Sequence, residues 1–135
     1  MDTQLLKQSL DQIIPRKDAF AQAFYQRLFN EFPETVPLFA RTDMDRQEKL
    51  LMATLAVVVN GLAAGDDVSP PVRALGKRHQ GYGVQPDHFD AVGQSLLATL
   101  REFLHASWTP ELEENWGEAY VALAGLMKAE IVPAG

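Results

Sequence analysis

The chain has 135 residues, of which 47% are hydrophobic and 22% are charged, and it contains no cysteine. This composition is typical of one globular domain, predicted to span residues 1–135, and it excludes disulfides, iron–sulfur clusters and thiolate zinc sites. The net charge of −6 argues against nucleic acid as a partner, because such an interface needs a basic patch. We expect a cytoplasmic protein with no membrane partner, since no signal peptide is evident and the longest apolar stretch, residues 50–64, is too short to span a bilayer.

In the first half of the chain, apolar residues recur at helical spacing in three segments. The first segment begins after Asp2 or Thr3, either of which can cap a helix, and it ends at Pro15. The second runs from there to residue 31 and ends before Pro33, and a short helical turn over residues 33–39 follows. The third, at about residues 45–64, is so rich in apolar residues that we predict burial on most of its circumference.

The second half is predicted to contain three further helices. A loop at residues 65–71 leads into a short helix that is opened by prolines and ends at His79. The next helix runs from Pro86 to about residue 105. The last begins with Thr109 as its cap and Pro110 in its first turn, and its apolar pattern continues to Ile131. Six or seven helices without strand alternation predict an all-α domain.

The chain has three histidines, His79, His88 and His105, and their spacing does not form a zinc motif. There is no phosphate-binding loop and no nucleophile motif of a hydrolase. His79 could be a metal ligand with Leu75 packed one turn before it, or an ordinary histidine that the helix dipole stabilises. If the metal is the iron of a haem, which needs only one imidazole from the protein, Arg78 could pair with a haem propionate.

Two other polar residues lie in apolar surroundings. Gln47 shares one face of the long helix with Leu51 and Leu55. Tyr25 lies on the apolar stripe of the second helix. Read alone, Gln47 is better explained as a solvent-facing helix residue, and Tyr25 could be a core tyrosine whose hydroxyl bonds a carbonyl group.

Taken in order, these residues resemble a bacterial single-domain globin and are most similar to the globin domain of flavohaemoglobins. The resemblance covers roughly residues 3–131. The matching motifs are Phe24-Tyr25, Leu28-Phe29, Phe32-Pro33, Leu38-Phe39, Gln47, Leu51-Met52, Leu75 to His79, Tyr82 to Val84, Phe89 to Gly93 and Trp116 to Tyr120.

The resemblance implies a globin fold of six to eight helices that encloses haem b (iron protoporphyrin IX). His79 is then the proximal iron ligand, and Tyr25 and Gln47 are the distal residues that stabilise a bound gas. Arg46 competes with Gln47 for the polar position, because the preceding corner varies in length. Further haem contacts implied by the resemblance are Phe39, Leu51, Leu55, Leu75, Arg78, Val84, Phe89, Val92 and Met127.

The function implied is reversible binding of dioxygen, nitric oxide or carbon monoxide at ferrous iron. Dioxygen bound there carries partial negative charge, so hydrogen bonds from a phenol and an amide, each worth about 1–2 kcal/mol, predict high oxygen affinity. Such affinity suits nitric oxide detoxification with an external reductase better than oxygen transport. The alternatives are a haem-based gas sensor that signals to a partner protein and a haem-free helical interaction domain.

The chain departs from the family on the proximal side. The family surrounds its proximal histidine with a tyrosine and a glutamate, which push electron density toward the iron. The matching positions here are Phe89 and Ile131, with Glu130 adjacent but on a different helix face. We therefore expect weaker peroxidase-like or dioxygenase turnover.

Overall fold

The computed structural model describes residues 1–81 and 83–131, and at residues 80 and 81 it describes only the backbone. These ranges contain helices and no strand, as predicted. The α-helices are α1 (Thr3–Ile13), α2 (Lys17–Glu31), α3 (Met44–Ala63), α4 (Ser69–Gly81), α5 (His88–Leu104) and α6 (Pro110–Lys128). Short 3-10 segments lie at Ile14–Arg16, Pro33–Phe39 and His105–Ser107. No helix in this part of the chain is both long and apolar enough to cross a membrane.

Side-chain caps set the starts of three helices. Asp2, rather than Thr3, caps α1 by accepting hydrogen bonds from the backbone amides of Gln4 and Leu5. Asp43 caps α3 and Thr109 caps α6 in the same way. The loop after α3 is shorter than predicted, because α4 begins at Ser69 and takes the two following prolines into its first turn, where a missing amide costs nothing.

The main core is built around α2. Its side chains Phe20, Phe24 and Leu28 are at most 2% exposed. They pack with buried residues of α1, α5 and α6, among them Leu10, Leu100 and Trp116. Helix α3 packs on α1 and α2, whereas α4 packs on α6. The two helices that carry Gln47 and His79 therefore have different packing partners.

The prediction that α3 is buried on most of its circumference is wrong. Only Met52, Val58 and Val59 are buried on this helix, while Leu50 and Val57 are 50% and 64% exposed. The reason is that α3 packs on α1 and α2 along only part of its circumference. High apolar content indicates that burial is favourable but does not supply a neighbour for every face.

Candidate functional site

His79 lies half-buried near the end of α4, and the preceding turn orients its ring. Its Nδ1 atom lies 2.8 Å from the carbonyl oxygen of Leu75. A carbonyl oxygen can only accept a hydrogen bond, so Nδ1 carries the proton and donates it. In the neutral imidazole the lone pair is then on Nε2, the atom suited to bind a metal.

The surroundings of His79 favour its neutral form. Burial lowers the pKa of the imidazole from its ordinary value of 6.5, because a desolvated ring resists gaining charge. The Leu75 carbonyl raises this pKa and the positive charge of Arg78 lowers it, each by less than burial does. The neutral form of His79, the form in which an imidazole can bind a metal, is therefore favoured at neutral pH.

Helix α4 is held very close to α6 at Gly76. A Cβ atom at this position would lie 2.7 Å from the carbonyl oxygen of Met127 and 2.8 Å from its Cα. No side chain larger than hydrogen fits between the two backbones unless one of them moves. This close approach fixes His79, three residues after Gly76, relative to α6.

An apolar cluster lies beside His79. Phe89, Ala124 and Ile131 are buried in it, and three half-buried residues pack at its edge: Val84, Tyr120 and Met127. The ring centroids of Phe89 and His79 lie 6.4 Å apart, and the rings are tilted by 34°. Phe89 and Ile131 stand where the resemblance places a tyrosine and a glutamate, so this wall offers His79 no side-chain hydrogen bond from those two positions.

Glu130 does not take the place of that glutamate. Its carboxylate lies 3.5 Å from Arg73 Nη1 and 4.0 Å from Lys77 Nζ, both on α4. The carboxylate is paired with these cations rather than with the imidazole of His79.

Tyr25 of α2 lies in a pocket of aromatic rings. It is 5% exposed, and its ring centroid lies 4.8 Å from that of Phe24, 5.9 Å from that of Phe29 and 5.6 Å from that of Phe39. Gln47 of α3 donates a hydrogen bond from Nε2 to the Tyr25 hydroxyl oxygen, at 3.0 Å. The structure thus brings the two predicted distal residues together.

The Tyr25 phenol keeps its proton. Burial raises its pKa to about 12, which outweighs the lowering caused by the hydrogen bond from Gln47. The negative charge of Glu48 raises the pKa slightly further. Tyr25 is therefore a neutral hydrogen-bond donor throughout the physiological range.

Arg46 lies apart from this pair. Its side chain is exposed, whereas Gln47 is half-buried and contacts Tyr25. Leu51 and Leu55 pack against the same core cluster as Tyr25. The face of α3 that carries Gln47, Leu51 and Leu55 is therefore the face turned toward α2.

Most of the predicted haem contacts are apolar and half-buried: Phe39, Leu51, Leu55, Leu75, Val84, Val92 and Met127. Phe89 is buried, and Arg78 is exposed on α4 beside His79. Partly exposed apolar surface contributed by several elements is typical of a site for an apolar ligand. Tyr82, which belongs to the motifs above, lies outside the described residues.

Sequence reasoning missed the contact that Tyr120 makes with α5. The Tyr120 hydroxyl donates a hydrogen bond of 2.6 Å to the carbonyl oxygen of Phe89. Its ring lies against Gly93, where a Cβ atom would be 2.6 Å from Tyr120 Cε2. A glycine in the interior of a helix is the signal that could have indicated this close approach.

Comparisons with known proteins agree with these features. The family model described as Globin matches residues 22–127. The flavohemoproteins of Vibrio cholerae and Bacillus subtilis are 32% and 27% identical over 125 residues, which is 89% and 90% of this chain. The chain spans only 31% of the length of either relative.

Solved structures are similar over the whole fold. An engineered carbene transferase from Rhodothermus marinus, described as a candidate nitric oxide dioxygenase, matches with a TM-score of 0.82 and 26% identity, covering 95% of this chain and 89% of that chain. A bacterial globin from Campylobacter jejuni matches with a TM-score of 0.79 and 20% identity, covering 95% and 92% respectively.

Proposed function

Because the chain belongs to the globin family, we propose that it is a haem b globin that binds dioxygen and other diatomic gases reversibly at ferrous iron. Family membership confirms the resemblance and the all-α globin fold that the sequence predicts, and it implies a haem cofactor. The observation that carries the proposal is the half-buried imidazole of His79, whose Nδ1 atom lies 2.8 Å from the Leu75 carbonyl oxygen, so that the ring is oriented by its own helix.

The residues around His79 fit a haem better than a free metal ion. Among the described residues, no group of three or more histidine and carboxylate side chains is placed to hold a metal ion. A haem needs only one imidazole from the protein, together with apolar surface for its ring. We propose that His79 Nε2 ligates the iron, that Arg78 pairs with a propionate, and that the half-buried apolar residues described above contact the ring. The haem would supply an iron that takes up diatomic gases.

We propose that the two distal residues, Tyr25 and Gln47, stabilise the bound gas by hydrogen bonding. Gln47 donates to the Tyr25 oxygen, so the phenol proton is not used in that bond and can be donated to a ligand. The aromatic rings around Tyr25 exclude water, which strengthens such a hydrogen bond. We therefore propose that Tyr25 is the principal donor and that Gln47 orients it.

A role in nitric oxide chemistry is the finer part of the proposal. A bound haem would supply the one electron with which nitric oxide and dioxygen combine to give nitrate, and an external reductase would return that electron. The flavohemoproteins to which the chain is similar are about three times its length, which supports looking for the reductase in another polypeptide segment or protein. The apolar proximal wall at Phe89 and Ile131 supports gas binding over rapid turnover.

The test is optical. Purified protein mixed with hemin and reduced should show a Soret band that shifts with carbon monoxide, and His79→Ala should lose tight haem retention. His105→Ala is the matched control, because His105 is an exposed histidine and should leave the spectrum unchanged. A wild-type protein that stays colourless with hemin contradicts the proposal.

The nitric oxide reaction needs a separate measurement. Oxygenated protein mixed with one equivalent of nitric oxide should yield about one nitrate per haem and ferric protein. Repeated turnover should then require an added reductant. If no nitrate forms while the oxygenated protein is consumed, the chain is a gas-binding globin without this activity.

A further inference from the structure

We infer that Tyr120 is a positioning residue for the proximal side, where it holds the first turn of α5 so that the Phe89 ring lies beside His79. This inference rests on the proposed function, because His79 matters here as a haem ligand. It concerns a hydroxyl group on α6 that bonds the backbone of α5 at Phe89, the residue whose ring lies beside His79.

Two contacts made by Tyr120 fix α5 against α6. The hydroxyl group donates to the carbonyl oxygen of Phe89 at 2.6 Å. The ring covers Gly93, one turn further along α5, so closely that a Cβ atom there would lie 2.6 Å from Cε2 and 3.0 Å from Cδ2. Contacts at Phe89 and at Gly93 together prevent α5 from rotating about its axis or sliding along α6.

Phe89 carries this constraint to the proximal histidine. Its ring is buried in the cluster with Ala124 and Ile131, and its centroid lies 6.4 Å from that of His79. If the start of α5 moved, the ring of Phe89 would move with it, and His79 would lose the wall that limits its rotation. Burial raises the pKa of Tyr120 well above its usual range, with a smaller contribution from Asp90, so the hydroxyl remains a donor.

A second buried hydrogen bond made by α6 provides a control. It distinguishes a positioning role of Tyr120 from a general effect on the stability of the fold. Trp116 lies one turn before Tyr120, and its Nε1 donates to Ser9 Oγ of α1 at 2.9 Å. Ser9 is buried, so Ser9→Ala also removes one buried hydrogen-bond partner from an α6 side chain. This bond joins α6 to α1 rather than to α5, which makes Ser9→Ala a matched control.

The experiment compares wild type, Tyr120→Phe and Ser9→Ala, each loaded with hemin. Two readouts are the iron–histidine stretching band of the reduced protein in resonance Raman spectra and the rate of haem transfer to an excess of apomyoglobin. Tyr120→Phe should shift or broaden the band and speed haem loss by up to about tenfold, the effect of losing one hydrogen bond. Ser9→Ala should lower the melting temperature but leave both readouts unchanged.

Several outcomes overturn the inference. It is wrong if Tyr120→Phe leaves both the band and the rate of haem loss as in wild type, or if Ser9→Ala changes them equally. If Tyr120→Phe does not fold, Gly93→Ala tests the same contact from α5, because the added methyl group must displace the Tyr120 ring, and an unchanged band there overturns the inference. A wild type that takes up no hemin overturns the proposed function as well, and that result is seen before any variant is compared.

Discussion

The direction of the hydrogen bond between Gln47 and Tyr25 gives the two side chains different roles in the proposed distal pocket. The amide donates and the phenol oxygen accepts, so the proton of Tyr25 is left to point toward another acceptor. The rings of Phe24 and Phe39 hold the phenol in place. Loss of the Tyr25 hydroxyl group removes the proposed hydrogen-bond donor, whereas loss of the Gln47 amide removes only the hydrogen bond that orients that donor.

The first prediction is that Tyr25→Phe speeds dioxygen dissociation by about tenfold or more, because a desolvated hydrogen bond to a partly charged ligand is lost. Gln47→Leu should have a smaller effect in the same direction. Stopped-flow displacement of dioxygen by carbon monoxide measures both rates. Ser9→Ala is the control for a buried polar deletion, because the Ser9 hydroxyl bonds Leu6 and Trp116 rather than Tyr25 or Gln47. An unchanged rate in Tyr25→Phe would rule out the proposed donor.

The apolar cluster of Phe89, Ala124 and Ile131 gives a second prediction, which a double-mutant cycle tests. Phe89→Tyr and Ile131→Glu each place an unpaired polar group in an apolar cluster, and each should lower the free energy of unfolding by about 1–3 kcal/mol or more. Together the new hydroxyl and carboxylate can bond each other. The double variant should therefore be more stable than the sum of the single changes by at least about 1 kcal/mol.

Urea unfolding of the haem-free proteins measures this coupling energy. Peroxidase-like activity of the haem-loaded double variant should also exceed that of wild type, because the new hydroxyl and carboxylate place polar groups beside the proposed iron ligand, His79. Ile131→Gln in place of Ile131→Glu is the control, since an amide keeps the shape but not the charge. Strict additivity would mean that the two positions do not face each other.

Some residue-level features could be predicted from the sequence and others could not. Spacing along one helix suffices to group Gln47 with Leu51 and Leu55. The hydrogen bond of Tyr120 joins α6 to the backbone of Phe89, 31 positions away, and no local pattern encodes such a contact. The same holds for the ion pairs of Glu130, because they depend on how α4 lies on α6.

At the scale of the helices, the residues at which a helix begins and ends follow from the sequence more readily than the side of the helix that is buried. Pro15 and Pro33 restrict the backbone next to them, and Asp2 and Thr109 supply caps, so each boundary follows from two or three neighbouring residues. The exposed face of α3 was not predictable in this way. Which apolar residues face solvent depends on the directions of other helices, which single-helix periodicity does not contain.

One helix end gives a third prediction. His105, the residue after α5, has φ of 43° and ψ of −108°, a conformation that a side chain with a Cβ atom rarely adopts. His105→Gly should relieve this strain and raise the free energy of unfolding by up to about 1 kcal/mol, after the entropy cost of glycine.

Thermal unfolding compares His105→Gly with His105→Ala. The alanine variant also loses the imidazole but keeps Cβ, so it should not be stabilised. A melting temperature that rises equally in both variants would assign the effect to the lost imidazole rather than to the backbone.

At the scale of the whole molecule, the helices that carry the proposed distal residue Gln47 and the proposed proximal residue His79 pack on different partners. Helix α3 is anchored on α1 and α2, and α4 is anchored on α6. Leu51 and Leu55 on one side and Leu75 and Met127 on the other keep part of their apolar surface exposed. A ligand that covers surface on both sides would join elements that otherwise contact each other little.

The last prediction follows from that arrangement. A ligand that binds only the folded protein stabilises it, and the gain is largest locally where unliganded elements open most easily. Hemin should therefore slow amide hydrogen exchange in α3 and α4 more than in α1, whose Leu6 and Leu10 are already buried in the main core. Mass-spectrometric exchange with and without hemin measures this difference.

His79→Ala distinguishes ligation from simple filling of the apolar surface. Without the imidazole, hemin can still cover Leu51 and Leu55 but has no bond to α4, so protection should persist partly in α3 and disappear in α4. His105→Ala should behave as wild type. Equal loss of protection in α3 and α4 would mean that the apolar surface alone does not retain hemin. Undiminished protection of α4 would mean that His79 does not bind hemin.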